Sequence, residues 1–301
     1  MLAYVTGGAG FVGRWLTEHL SGCGDEVVAV DVEVDVTSPA AVRESITSVQ
    51  PEVVYHLAGL AHVGRSWDNP GPTFNVNAAG TLNVLEGAAA CARPPRVILV
   101  SSAEVYGTAG SDPVGEDAPL RPVSPYAASK VAAEFLGLQQ YLGRSLPVIR
   151  ARPFNHVGPG QAPDFVVSAL AKRIVETEQS GGGKVSVGNL GAERDFTDVR
   201  DVVRAYRLLA EHGEPGEAYN IGTGRAVAVR DVADRLAALA KTPVELVTDP
   251  DLVRPVDVPV FLGDARKLVA ATGWSPSIGL DETLRDVLEF WRAKRVAAPP
   301  S

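Results

Sequence analysis

The sequence predicts a doubly wound α/β fold on a parallel sheet, and three features predict it. The apolar run Leu2-Ala3-Tyr4-Val5 passes through Thr6-Gly7-Gly8-Ala9-Gly10-Phe11-Val12-Gly13 into 14–20, whose apolar residues fall at helical spacing. A second apolar run at 27–30 ends in Asp31. Further apolar runs at 52–57, 96–100 and 146–151 are separated by stretches that read as helices or loops.

The glycines explain the first turn. Gly7 permits a tight turn, Gly10 lets backbone approach a pyrophosphate, and Gly13 lets the helix pack close to the strand. The N–H groups and dipole at the helix start, around Phe11 and Val12, favour phosphate charge. Asp31 stands where a carboxylate binds the adenosine ribose diol. A plain glycine-rich turn would share the pattern, but the place of this one between strand and helix points to a dinucleotide.

Size and composition narrow the class. A chain of 301 residues with 46% hydrophobic content fits one large α/β domain, or a nucleotide domain with a smaller partner. The net charge of −8 and the lack of a long basic run argue against nucleic acid, so a charged nucleotide would need local arginines. Cys23 and Cys91 have no metal-ligand spacing, so no metal and no disulfide scaffold are expected, and a reduced cytoplasmic setting is. There is no signal-peptide pattern, membrane-length apolar run or internal repeat, and 297–301 reads as a frayed tail.

In order along the chain, Val32-Glu33-Val34 leads almost directly to Asp35-Val36, so the crossover after the second strand is truncated. Thr37-Ser38-Pro39 caps a helix beginning near Ala40, and Asp35 serves either the adenine or that helix start. Residues 52–57 read as the fourth strand. They contain His56, a core histidine, and end in Leu57-Ala58-Gly59, small enough for a cofactor to lie against backbone. A loop at 60–71 carries His62, Arg65, Ser66 and Trp67 at the sheet's ligand-binding edge, where Arg65 is either a substrate contact or a surface arginine. Residues 72–91 form a helix containing Asn77. The fifth strand, 96–100, delivers Ser101, Ser102 and Glu104 to the site.

Ser124-Pro125 starts a helix bearing Tyr126 and Lys130, whose spacing puts them on one face. An ammonium near a phenol favours the phenolate, so a lowered tyrosine pKa is predicted, suited to proton exchange near neutral pH. Beyond the sixth strand at 146–151 the alternation weakens. A helix is predicted at 163–179, the segments 185–187 and 193–199 follow, and strands are predicted at 218–222 and 244–247 and helices at 229–239 and 284–292. The expected division is 1–160 as a dinucleotide-binding domain, with main-sheet strands also near 195–222, and 161–301 as mainly a substrate-binding region, not continuous.

Taken together, the glycine motif, Asp31, Ser101-Ser102, the YAASK segment at 126–130 and RPFN at 152–155 resemble the extended short-chain dehydrogenase/reductase family over nearly the whole chain. The resemblance implies a Rossmann domain, NAD or NADP, a nucleotide-sugar substrate and dimers formed through helices like 72–91 and 124–142. The segments 154–161, 187–206 and 253–259 are similar to the GDP-mannose branch, nearest its 4-keto-6-deoxy sugar reductases and next its 4,6-dehydratases. The implied reaction is reduction of GDP-4-keto-6-deoxymannose to GDP-rhamnose. In it Tyr126 is the proton donor, Lys130 tunes Tyr126 and holds the nicotinamide ribose, and Ser102, or Ser101 in a shifted register, bonds the carbonyl. Asn77 joins the cofactor contacts. Asn155, Lys172, Asn189, Arg194 and Arg254 are implied nucleotide-sugar contacts, with Asp257 at a nucleoside position. Glu104 stands where dehydratases carry a base, which keeps 4,6-dehydration open. A 4-epimerase and a non-catalytic dinucleotide-binding protein are further alternatives. Asp31 favours NAD over NADP because its charge repels a 2′-phosphate.

Overall fold

The computed structural model describes residues 1–108, 110, 112–249, 252 and 259–296. Arg254, Asp257 and the tail at 297–301 lie outside the described residues.

The first half is built by strand–helix–strand units with parallel strands. β1 (Leu2–Thr6) leads through the glycine turn into α1 (Phe11–Gly22) and β2 (Glu26–Val30). α2 (Pro39–Val49) returns the chain to β3 (Val53–His56). After β3 come α3 (Val63–Asp68), α4 (Pro70–Phe74), one π turn at Asn75–Ala79 and α5 (Gly80–Ala89). β4 (Arg96–Val100), α6 (Pro125–Arg144) and β5 (Val148–Pro153) follow. The second half holds β6 (Asn155–Val157), α7 (Val166–Gln179), β7 (Gly183–Val187), β8 (Glu193–Asp198), α8 (Val199–His212), β9 (Ala218–Ile221), β10 (Ala226–Ala228), α9 (Val229–Ala238), β11 (Val244–Thr248), β12 (Val260–Phe261), α10 (Arg266–Thr272) and α11 (Leu280–Val296).

The main sheet is six-stranded and parallel, in the order β2-β1-β3-β4-β5-β9. β1 and β3 are apolar on both faces because helices cover both, as a central parallel strand requires. α1 and α8 cover one face around Leu16, Leu20, Val202 and Tyr206. α2 and α5 cover the other around Val42, Ile46, Val84 and Leu85. Each such buried side chain contributes roughly 1.5–3 kcal/mol. A third core packs α7, α9 and α11 around Ile174, Leu236 and Trp291.

Four expectations need correction. No third strand forms after β2: residues 32–34 make a turn, and the strand at 53–56 is therefore the third. The loop expected at 60–71 contains α3, which His62 caps by accepting a 2.9 Å hydrogen bond from the Arg65 N–H. The helices α8 and α10 add to the expected elements; in α8, Val199, Val202, Val203, Tyr206 and Leu209 recur at helical spacing. Of the strands near 195–222, 218–221 joins the main sheet, whereas Glu193–Asp198 belongs to a separate four-stranded sheet with β10 and β12, off which it also pairs β6.

Candidate active site

The carboxyl edge of the main sheet carries the candidate site. β1 and β3 are neighbours but their connections leave to opposite sides, which opens a crevice between them. The glycine turn sits there. Gly7 has φ +72°, and a Cβ on it would lie 2.8 Å from the Ala58 nitrogen. A Cβ on Gly13 would lie 2.1 Å from the Gly7 carbonyl oxygen, so α1 approaches the turn as only glycine allows. Gly10 is the N-cap of α1, bears no capping side chain, and the first turn has no acid. The helix start therefore offers unpaired N–H groups and positive dipole to an anion, which fits a pyrophosphate.

Asp31 ends β2 and accepts a 2.8 Å hydrogen bond from the Ala9 N–H, so its carboxylate does face the glycine turn. Glu33 accepts at 2.8 Å from the Asp31 N–H, placing a second carboxylate beside it. Asp35 accepts from the Thr37 N–H and hydroxyl at 2.9 and 2.7 Å, a local bond ahead of α2. Thr37 bonding holds the Asp35 carboxyl below its usual range. Leu57 and Ala58 follow β3, where the Ala58 N–H donates to Thr6 Oγ1 at 3.2 Å.

From this edge a cleft of about 650 Å³ runs between the sheet and the second half of the chain. It brings together Val12, Leu57, Gly59, Ser101, Ser102, Glu104, Tyr126, Lys130, Asn155, Asn189 and Arg194 from residues far apart in sequence. Ser124 caps α6 by accepting from the Ala127 N–H at 3.1 Å, and buried Ser66 Oγ accepts from the Tyr126 N–H at 3.1 Å. These bonds fix where α6 starts and hence where Tyr126 stands. Ser102 lies beside the Tyr126 phenol, close enough to act against the rise of its pKa. Lys130 Nζ donates to the Val100 carbonyl at 2.9 Å, and burial lowers its pKa to about 8 against the opposing charge of Glu134.

The phenol corrects one expectation. Burial is the largest influence on Tyr126 and raises its pKa to about 12; the Ser102 bond opposes the rise and the Glu104 charge adds to it. The predicted lowering by Lys130 is not found: its Nζ is turned to the Val100 carbonyl, and burial decides the Tyr126 pKa.

Asn77 is held by partners within the protein. The wide π turn aims its amide at the backbone of Leu60, accepting at 2.8 Å and donating at 3.1 Å, and at Ser129 Oγ at 2.9 Å. Ser129 in turn donates to the Tyr126 carbonyl at 2.7 Å. The buried amide thus ties the strand-end loop to α6.

Two other residues fall outside the cleft lining. Lys172 pairs with Glu176 at 3.9 Å and lies over the Trp291 ring, whereas its neighbour Arg173 lines the cleft. The helical period carried that signal, since Val166, Leu170 and Arg173 share one stripe of α7. Arg65 is exposed and bridges to Asp164, a cleft residue, at 2.6 Å. His156 was also unanticipated as a cleft residue; its ring stacks on Phe11 with centroids 6.0 Å apart, and burial lowers its pKa.

A family model described as GDP-mannose 4,6 dehydratase matches residues 32–287. The chain belongs to this family. Over 296 residues, 97% of each chain, it is 34% identical to a GDP-6-deoxy-D-mannose reductase of Pseudomonas aeruginosa. Among solved structures it is similar to RMD from Pseudomonas aeruginosa complexed with NADPH, with TM-score 0.90 and 33% identity over 98% of this chain and 100% of that one. A Thermus thermophilus UDP-glucose 4-epimerase in complex with NAD has TM-score 0.88 and 30% identity, covering 97% and 99% of the two chains. The family thus spans reductases, dehydratases and epimerases on one fold, and the cleft residues must separate them.

Proposed function

We propose that this protein reduces the C4 keto group of a nucleotide-linked 4-keto-6-deoxy sugar, GDP-4-keto-6-deoxymannose to GDP-rhamnose, using NADH or NADPH. The carrying observation is the buried Tyr126, standing with Ser102 and Lys130 in one cleft. It occurs in a chain similar over its length to a GDP-6-deoxy-D-mannose reductase. When bound, the reduced dinucleotide supplies the hydride. A phenol near pKa 12 keeps its proton at neutral pH, as the acid of a reduction must. As charge develops on the sugar's C4 oxygen, Tyr126 gives up that proton and Ser102 holds the oxygen by a hydrogen bond. Lys130, one helical turn on, stabilises the phenolate left behind. Asn155, Arg173, Asn189 and Arg194 hold the nucleotide sugar, with arginine forks suited to its diphosphate.

We read residues 1–160 as mainly the dinucleotide part and 161–301 as mainly the sugar-nucleotide part. The paired carboxylates Asp31 and Glu33 favour NADH by repelling a 2′-phosphate; Asp31→Ser should raise the relative use of NADPH. The homodimer reading rests on the exposed Phe135 and Leu142 of α6. A cytoplasmic setting suits the two free cysteines, and no helix among the described residues is long and apolar enough to cross a membrane.

A second reading is supported by Glu104, which lines the cleft near enough to act on the Tyr126 charge. It is a 4,6-dehydratase in which Glu104 takes the C5 proton. Supplying the keto sugar with NADH or NADPH, and GDP-mannose with NAD, separates the two. Oxidation of reduced cofactor with a two-hydrogen gain by the keto sugar supports the reductase. Loss of water from GDP-mannose without net cofactor change supports the dehydratase.

A further inference from the structure

Asp195 lies on β8 between two residues of the cleft wall, Arg194 and Phe196, and is itself wholly buried. Its carboxylate takes four hydrogen bonds from two other stretches of chain. Oδ1 accepts from the Thr223 N–H at 2.8 Å and from the Thr223 hydroxyl at 2.6 Å. Oδ2 accepts from the Gly224 N–H at 3.0 Å and from the Gly263 N–H at 3.4 Å. Thr223 and Gly224 form the turn between β9 and β10, and Gly263 follows β12. β10 and β12 are the strands that pair with β8 at Arg194, through Val227 and Phe261. One carboxylate therefore ties both neighbours of Arg194 to β8. The chain is built tightly around it. A Cβ on Gly222 would lie 2.6 Å from Asp195 Oδ2, and one on Gly263 would lie 2.4 Å from the Phe154 ring. Phe154 packs on Phe261 with ring centroids 5.0 Å apart, and both line the cleft. An apolar side chain at 195 would avoid the cost of burying a carboxylate, but it would leave these N–H groups unpaired.

We infer that Asp195 is a positioning residue for the nucleotide sugar: by holding the 222–224 turn and Gly263 against β8, it fixes the cleft wall made by Arg194, Phe261 and Phe154. The inference rests on the nucleotide-sugar reading above. Asp195 does not touch the substrate; it acts through the wall. A guanidinium fork binds a diphosphate only if its strand holds it in register with the phosphate oxygens. The strand beside Arg194 on one side is β12, only two residues long, so its own ladder bonds hold it weakly. The Gly263 bond adds a hold just beyond it, and that bond sets the Gly263 backbone against Phe154. The partners of Asp195 include neither the glycine turn nor α6. Its loss is therefore felt by the nucleotide sugar and not by the dinucleotide or by Tyr126.

The test measures binding of GDP and of NADH to the full chain and to Asp195→Asn, Gly222→Ala and Thr223→Val, with kcat and KM for the keto sugar alongside. Asparagine keeps the shape of Asp195 but offers one acceptor oxygen in place of two. The expected result for Asp195→Asn is GDP binding weakened about tenfold and KM raised to match, with kcat and NADH affinity near parental. Gly222→Ala presses a methyl on the same carboxylate and gives the same selective loss. Thr223→Val removes one of the four bonds and weakens GDP about threefold. If Asp195→Asn fails to fold by circular dichroism, Thr223→Val carries the test on the same terms. Unchanged GDP affinity, or NADH weakened in parallel with GDP, overturns the inference, the second because it marks a general loosening of the fold. A fall in kcat with KM unchanged overturns it too. If the parent chain binds NADH but not GDP, the GDP-sugar reading itself falls and takes the inference with it.

Discussion

Glu134 anchors the helix that carries Tyr126 and Lys130, and its removal should be costly. Its carboxylate is fully buried on α6 and accepts from Arg152 on β5, Nε at 2.8 Å and NH2 at 2.6 Å. Arg150 stands 3.7 Å away. Arg152 also donates to Tyr106 Oη at 2.8 Å and to the Glu116 carbonyl at 3.0 Å, and its side chain is 4% exposed. Glu134→Ala would leave that guanidinium buried with its counter-ion gone, which costs about 3–5 kcal/mol. Restoring balance by replacing both partners, Glu134→Leu with Arg152→Met, should recover most of the loss. The remainder, about 1–2 kcal/mol, reflects the two other Arg152 bonds. The assay is denaturant unfolding of the parent, both single variants and the double variant. A single-variant loss under about 1 kcal/mol, or a double variant as unstable as the summed singles, would refute the claim that an uncompensated charge is the cause.

Three further outcomes are expected. Tyr126→Phe should lower kcat for the keto sugar about 10²–10⁴-fold with the fold intact by circular dichroism; a loss under tenfold would remove Tyr126 as the acid. Gly13→Ala places a methyl against the Gly7 carbonyl and should displace the turn, lowering kcat/KM about 10²-fold in initial-rate assays; near-parental values would contradict the packing argument. Lys130 has a folded pKa of about 8, below the ordinary 10.5, so between these values the unfolded chain binds more protons and stability rises with pH. Relative to Lys130→Met, the parent should therefore carry a penalty of about 3 kcal/mol below pH 8 that disappears as pH approaches 10.5. A pH-independent difference in unfolding free energy between the two would contradict it.

Local chemistry made the first half legible. The glycine turn and the Tyr126–Lys130 pair each depend on neighbours close in sequence, so spacing alone reports them. Asp31 faces the glycine turn because β2 pairs with β1, which brings it to Ala9. What spacing could not report is competition between distant groups. The Tyr126 pKa is decided by burial under elements that sequence does not bring together, and the expected lowering was lost there. Asn77 illustrates the same point, because its partners Leu60 and Ser129 are reached only through the π turn. Arg173 against Lys172 is a matter of helix phase, readable once α7 is known to start at Val166. α8 carries an amphipathic stripe, Val199, Val202, Tyr206 and Leu209, that helical spacing alone displays.

The most direct test of the central claim follows the hydride. The purified protein is given GDP-4-keto-6-deoxymannose and NADH carrying deuterium at the transferred position on C4, and the sugar product is examined by mass and by proton resonance. The account predicts GDP-rhamnose with one deuterium at sugar C4, formed by the parent chain and lost with Tyr126→Phe. Unlabelled product, or a keto sugar left unreduced while GDP-mannose loses water, would contradict it.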